Sequence, residues 1–529
     1  MNIIDYTVIA AYLIGLIGFG YILRRQETGR DYFLGGNEVG WFPLTLSTMA
    51  TQLSAISFIS APAFVGMREG GGLKWLTYEF AVPLAMLFVM FVVAPALYRA
   101  KVVSIYEYLQ RRFGLSTRLL ISVFFQIVRS FSTGIMIYAP ALILNAVLDV
   151  PMWQSIAVVG VITLVYSASG GMKAVVYGDA IQMVLIFLGL LVVAAFAVAN
   201  VGGLSAAVAS IDVERLFVID AGSLGLNGDE FGLLPMLFGG FVLYASYYGC
   251  DQSQAQRVLS AKDLPAARRL LFANGLLRFP LVLIYCLTGL VVGAAVFASP
   301  EMMAQIPADR PDHMMPVFIV ETLPNGIIGL LLVAILAAAM SSVSSGMNSL
   351  AAVSMEDLRA LGIKASDEDR EVFFARALSI VWGIIILLMA AFAGEIAPTV
   401  IEAINKVGSA LYGPVLGVFT LAILSKRVSA VGANIGLLVG LSLNMWFWLY
   451  VPDLFWMWWN FIGLMVTVFA ALLASLAFKP RLTRDNDADP VSLSEDWPSK
   501  EAVGILAMSF IVMLAIGAVF TAIALGTST

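Results

Sequence analysis

Residues 337–349 read AAAMSSVSSGMNS, and on a helix Ala338, Ser341, Ser342 and Ser345 share one face at i, i+3, i+4 and i+7. Hydroxyl and carbonyl oxygens are hard, weakly charged ligands. They suit a small cation that must be held and then released, and sodium is the natural candidate. The same small residues also suit close helix packing, where serines satisfy backbone carbonyls. A second chemical feature is charge inside apolar segments: Arg129, Arg278 and Lys406, with Glu79, Asp179 and Glu402. Intramembrane ionisable groups are costly and are candidates for function by default. Guanidinium stays charged and forms a two-pronged hydrogen bond with a carboxylate, so two arginines against the one acid Glu79 favour an anionic solute. The alternative is that Glu79 neutralises one arginine internally. Lys406 and Glu402, four apart, are expected to pair. Asp179 either faces an ion or, near a helix end, reaches water or Lys173.

The elements that must position these residues follow from composition. With 60% apolar residues, 12% charged residues and a mean hydropathy of +0.92, the chain is a polytopic all-α membrane protein. About fourteen segments are long enough to span a bilayer. The first lacks the basic start and cleavage site of a signal peptide and is read as a retained helix. Lysines and arginines concentrate in alternate loops, which places both termini outside. Cys250 and Cys286 fall inside spans and read as buried thiols rather than a disulfide. The lone His313 lies in a loop after Pro311 and is expected to face solvent. No Gly-Lys dipeptide occurs, so there is no phosphate loop for ATP. No acid/base or metal constellation suggests an enzyme, and nothing points to nucleic acid.

Two spans carry signs of interruption. Residues 49–58, MATQLSAISF, place Thr51, Gln52, Ser54 and Ser57 at membrane depth between Pro43 and Pro62. Residues 244–256, YASYYGCDQSQAQ, end another span after Gly239 and Gly240. Unwound backbone is tolerated in a membrane only where it lines a cavity, and paired broken helices mark the binding site of inverted-repeat transporters. Ordinary glycine and proline kinking is the competing reading.

Six stretches then resemble the sodium:solute symporters: LSTMATQLSAISF (46–58), SIYEYLQRRFG (104–114), TGIMIYAPALIL (133–144), GGMKAVVYGDAIQ (170–182), DQSQAQRVLSAK (251–262) and MSSVSSGMNS (340–349). The nearest likeness is to the iodide, multivitamin and monocarboxylate branch, with sialic-acid-carrier-like site residues. The resemblance implies a leucine-transporter-like core of five-plus-five inverted repeats. Its parts would be an extra helix and loop (1–41), the first repeat (42–199), an outer loop (200–232), the second repeat (233–424) and three additional C-terminal helices (425–529). It implies sodium as the co-transported ion. The principal site would use the carbonyls of Ala50, Leu53 and Ala338 and the hydroxyls of Ser341 and Ser342. A second site would use Asp179 with Ser341, Ser344 and Ser345. Solute would lie against Gln52, Ser54, Ser57, Tyr78, Glu79, Arg129, Tyr244, Tyr247 and Arg278. Of these, Arg129 looks like the arginine that grips a carboxylate in the sialic-acid carriers, and Tyr247 like the stacking inner gate of the sugar carriers. The expected activity is sodium-driven uptake of a small, carboxylate-bearing organic solute across the plasma (inner) membrane by alternating access. A neutral sugar or polyol as solute, or a passive channel, are the alternatives.

Overall fold

In hydrocarbon no water is at hand for a free backbone amide, so apolar runs of about 20 residues must close their hydrogen bonds as helices. The computed structural model describes residues 2–23, 28–148, 150–363, 365–391, 399–478 and 499–526; the acidic stretch 479–498 lies outside them. There the chain is helical, with one isolated bridge between Val39 and Ala261. The principal helices are α1 (Ile3–Ile22), α2 (Trp41–Gln52), α3 (Ala55–Gly66), α4 (Leu73–Arg99), α5 (Leu115–Leu148), α6 (Met152–Asn200), α7 (Leu233–Cys250), α8 (Gln252–Ser260), α9 (Leu264–Phe297) and α10 (Ile327–Ala360). They continue with α11 (Glu368–Ala390), α12 (Val400–Leu424), α13 (Ala430–Tyr450), α14 (Met457–Ala477) and α15 (Lys500–Gly526).

Among the described residues, 12 helices are long and apolar enough to cross a membrane, and the bent pair α2 and α3 makes a thirteenth span. The expected spans at 151–170 and 174–199 are two limbs of α6, which turns at Gly171 (φ 57°, ψ −160°), a backbone region open to glycine. The shorter first limb, with the apolar stretch Met152–Val165, accounts for the remaining segment of the about fourteen expected.

Both expected interruptions are present. Helices α2 and α3 meet at 53°, with Leu53 (φ −90°, ψ 73°) outside helical geometry and the Ser54 hydroxyl accepting from the Ile56 amide. A serine at this position satisfies one of the amides a helix start leaves open. Helices α7 and α8 part at Asp251, whose carboxylate accepts from the Ser253 amide at 2.8 Å.

The serine-bearing α10 is the axis of the bundle. Its apolar window is 89% buried against 17% for α15, so the latter is left to face lipid. Helix α3 lies against α9 through glycines: a Cβ at Gly289 would sit 2.5 Å from the Pro62 carbonyl oxygen, and one at Gly293 2.6 Å from that of Gly66. Such small-residue contacts let membrane helices approach closely. The extra helix α1 is anchored to the axis as well. Its buried Asp5 accepts from the amides of Gly326 (2.6 Å) and Gly329 (2.8 Å), at the positive N-terminal end of α10.

Candidate ion and solute site

The break in α2 and α3 faces the serine seam of α10. Ser341 Oγ lies 3.1 Å from the Ala50 carbonyl oxygen and 3.0 Å from that of Ala338. Ser342 Oγ lies 3.1 Å from the Thr51 carbonyl oxygen and 3.4 Å from that of Ala338. All these residues are buried, as is Leu53 at the break. Neutral oxygens of two helices therefore converge within one small volume. The structure brings in Thr51, which the sequence reading had not named as a ligand. Packing is served by the same groups, since Ser344 and Ser345 donate back to the Ser341 carbonyl at 3.0 and 2.7 Å.

Beside this seam lies a cavity of about 70 Å³. Eight of the nine expected solute residues line it: Gln52, Ser54, Ser57, Tyr78, Arg129, Tyr244, Tyr247 and Arg278. The ninth, Glu79, stands behind the wall and holds Arg278 in a two-pronged pair, with Nε–Oε2 2.8 Å and Nη2–Oε1 3.0 Å. The Tyr244 hydroxyl completes this group by donating to Glu79 at 2.7 Å, and its ring stacks on Tyr78 at 5.3 Å. Gln52 accepts from the Tyr248 hydroxyl. Sequence reasoning missed Tyr285, Asn405 and Tyr412, which also line the cavity. Tyrosine and asparagine on apolar helices carried no spacing signal that would have singled them out.

Arg129 is held differently. Its Nη1 lies 3.4 Å from Asp251 Oδ2, and its guanidinium sits 5.7 Å from the centre of the Tyr247 ring. Nε and Nη2 are buried and make no hydrogen bond of good geometry among the described residues. Asp251 corrects the charge balance: two acids, not one, face the two arginines. Read from the sequence, Asp251 belonged to the helix break and not to the pocket.

Three further expectations are corrected. Glu402 does not pair with Lys406. It accepts from Arg68 at 2.8 Å and from the Thr399 hydroxyl at 2.6 Å, while Lys406 lies 5.7 Å from the Trp448 ring centre. Arg68, just past the end of α3, ties that helix to α12, and Asp312 does the same nearby. Its Oδ2 accepts from the Val400 amide at 2.8 Å, and burial pushes its carboxyl up to about 6. His313 is half-buried beside it rather than solvent-facing. Lys173 bonds Glu38 at 3.1 Å, so it does not neutralise Asp179. Asp179 is buried and paired instead with Arg257 of α8, Nη2–Oδ2 2.8 Å. Cys250 and Cys286 are buried free thiols, as expected.

Comparison with known proteins gives a consistent result. A model of the sodium:solute symporter family matches residues 32–440. Sodium-coupled monocarboxylate transporter 2 of Mus musculus is 30% identical over 452 residues, covering 84% of this chain and 71% of the relative. The sodium/iodide cotransporter of Homo sapiens is 31% identical over 456 residues, covering 84% and 69%. Among solved structures, a substrate-bound, outward-open Na+-coupled sialic acid symporter superposes with a TM-score of 0.82 at 25% identity, covering 90% of this chain and 99% of that one. The architecture is that of the leucine-transporter-like carriers.

Proposed function

The chain belongs to the sodium:solute symporter family, and from that membership we propose that it moves a small monocarboxylate inward together with sodium by alternating access. Multi-pass membrane architecture and sodium-coupled solute transport are common to its relatives. What is proposed for this chain is the solute, the residues that hold it and the ion, and a plasma-membrane location with both termini outside.

The observation that carries the proposal is the state of Arg129. Its Nε and Nη2 are neighbouring donors that together form the side-on fork for a carboxylate; buried in the pocket wall, they make no hydrogen bond of good geometry among the described residues, with the Tyr247 hydroxyl as their polar neighbour. A buried donor left unpaired costs about 1–3 kcal/mol, more when charged, so a ligand that supplies two acceptors gains what the apo pocket forgoes. Arg278 cannot serve in the same way, because Glu79 already takes its fork. The cavity is small, about 70 Å³. That supports an acid of a few heavy atoms, with Tyr247 and Tyr412 covering its apolar end. Two of the relatives are named for anions, monocarboxylate and iodide, which supports the reading.

Sodium is proposed to lie among the Ala50, Leu53 and Ala338 carbonyls and the Ser341 and Ser342 hydroxyls, with the Thr51 carbonyl in reach. Bound there it draws α10 onto the break between α2 and α3, the element that also presents Gln52, Ser54 and Ser57 to the solute. A ligand shifts a conformational equilibrium only through differential affinity, and contacts from two moving elements provide it. Loss of sodium on the inside then loosens the solute.

Purified protein in liposomes tests this. A sodium gradient should drive labelled propionate or pyruvate above equilibrium, with the neutral amides of the same acids excluded. Equal uptake in potassium, or equal uptake of amide and acid, would refute the reading.

A further inference from the structure

We infer that a second cavity, walled by tryptophans around Lys406, binds an aromatic monocarboxylate apart from the solute pocket, whichever acid the carrier moves. The cavity measures about 120 Å³, against about 70 Å³ for the pocket at Arg129, and the two share no lining residue. They are neighbours on α12, where Asn405 lines one and Lys406 the other. The walls of the second cavity are preformed. The turn between α13 and α14 is tied to loop 224–230 by three hydrogen bonds. The Phe455 amide donates to the Gly225 carbonyl at 2.9 Å, the Gly228 amide to the Asp453 carbonyl at 2.9 Å, and the Trp458 indole to the Leu224 carbonyl at 2.7 Å.

Lys406 Nζ lies 5.7 Å from the centre of the Trp448 ring and 5.9 Å from that of Trp459, so two indole faces hold the ammonium in place. Ring faces leave its N–H donors free, and among the described residues it has no hydrogen bond or ion pair. Two of the three acids that line the cavity are committed elsewhere. Asp229 accepts from the Gly225 amide at 3.0 Å on one oxygen and from the Asn227 amide at 3.1 Å on the other, and Glu230 takes Arg68 at 2.9 Å. The third, Asp453, is exposed, and its charge selects against a second negative charge on a ligand. One carboxylate is therefore what Lys406 can accept. The apolar remainder of the wall, Leu454, Phe455 and Trp456, suits a flat ring, since aromatic groups pair edge-to-face or offset-stacked.

Tryptophan emission of the full-length protein in lipid nanodiscs, titrated with 4-nitrobenzoate and with 4-nitrobenzamide, tests this. A nitroaromatic ring quenches indole on contact, and tryptophans line this cavity but not the solute pocket. Saturable quenching by the acid and not by the amide is expected. It should persist in Arg129→Gln and in Lys406→Arg, and weaken about tenfold in Lys406→Gln, as for the loss of a charge-assisted hydrogen bond. Quenching lost in Arg129→Gln but kept in Lys406→Gln would put the acid in the solute pocket, overturning the inference and leaving the proposed function standing. Equal quenching by acid and amide, or no saturable quenching by either, would overturn it as well. If Lys406→Gln does not fold, the difference between acid and amide in the Arg129→Gln protein decides.

Discussion

The two arginines of the pocket are the same residue type at similar depth, yet their surroundings give them different work. Arg278 has its fork filled by Glu79 at 2.8 and 3.0 Å and a tyrosine hydroxyl against it. Arg129 has one contact of 3.4 Å to Asp251, Tyr247 beside it, and two donors with no hydrogen bond of good geometry among the described residues. The first is a closed unit whose role is to hold α4, α7 and α9 together. The second is open for a ligand. Burial and charge alone do not distinguish a structural ion pair from a recognition site; the count of unsatisfied donors does.

The largest effect should come from opening the closed side. Glu79→Ala strands Arg278 without its carboxylate and should destabilise the fold by about 3–5 kcal/mol, read as a lower melting temperature in detergent with or without ligand. A melting temperature equal to that of the unaltered protein would make the pair dispensable. Arg129→Gln should do less to the fold. It leaves the buried Asp251 carboxylate with only the Ser253 amide and hydroxyl as donors, so the loss of stability should be smaller than for Glu79→Ala. Affinity for a carboxylate should fall by about 2–3 kcal/mol, as for a charge-assisted hydrogen bond, measured by competition between propionate and its amide. Equal loss for acid and amide would remove the recognition role.

The contrast extends to the contact between α3 and α12, where Asp312 accepts from the Val400 amide at 2.8 Å and has the Ser60 hydroxyl beside it. Its carboxyl is raised to about 6 by burial, with Glu402 adding to the effect. The folded state therefore holds this proton more tightly than the unfolded chain does. Stability is present at low pH and is lost as pH rises from the ordinary aspartate range through about 6, by about 3 kcal/mol. Asp312→Asn should flatten that part of the melting profile, and an unchanged profile would refute the assignment.

Much of this arrangement was legible in the sequence because it depends on local pattern. The density of polar residues in TQLS announced the break at Leu53, and the serine periodicity announced the face of α10. Pairings between distant segments were not legible. Arg257 lies just beyond an apolar run and reads as a loop cation of the inner side; only the turn at Asp251 folds α8 back and buries it. Asp251 was hidden for the same reason. Lys406 and Glu402 have the spacing of a helical pair, but Arg68 competes with better geometry. Which arginine Glu79 would neutralise depended on helix rotation, and no single stretch encodes that.

The central claim is that sodium, held between the broken helix and the serine seam, completes the pocket around Arg129. Calorimetric titration of propionate into purified protein, in sodium and in potassium, tests it most directly when repeated with Ser342→Ala. The account predicts tight binding only in sodium, and loss of that difference in the variant. Equal affinity in both salts, or a sodium effect that survives Ser342→Ala unchanged, would contradict it.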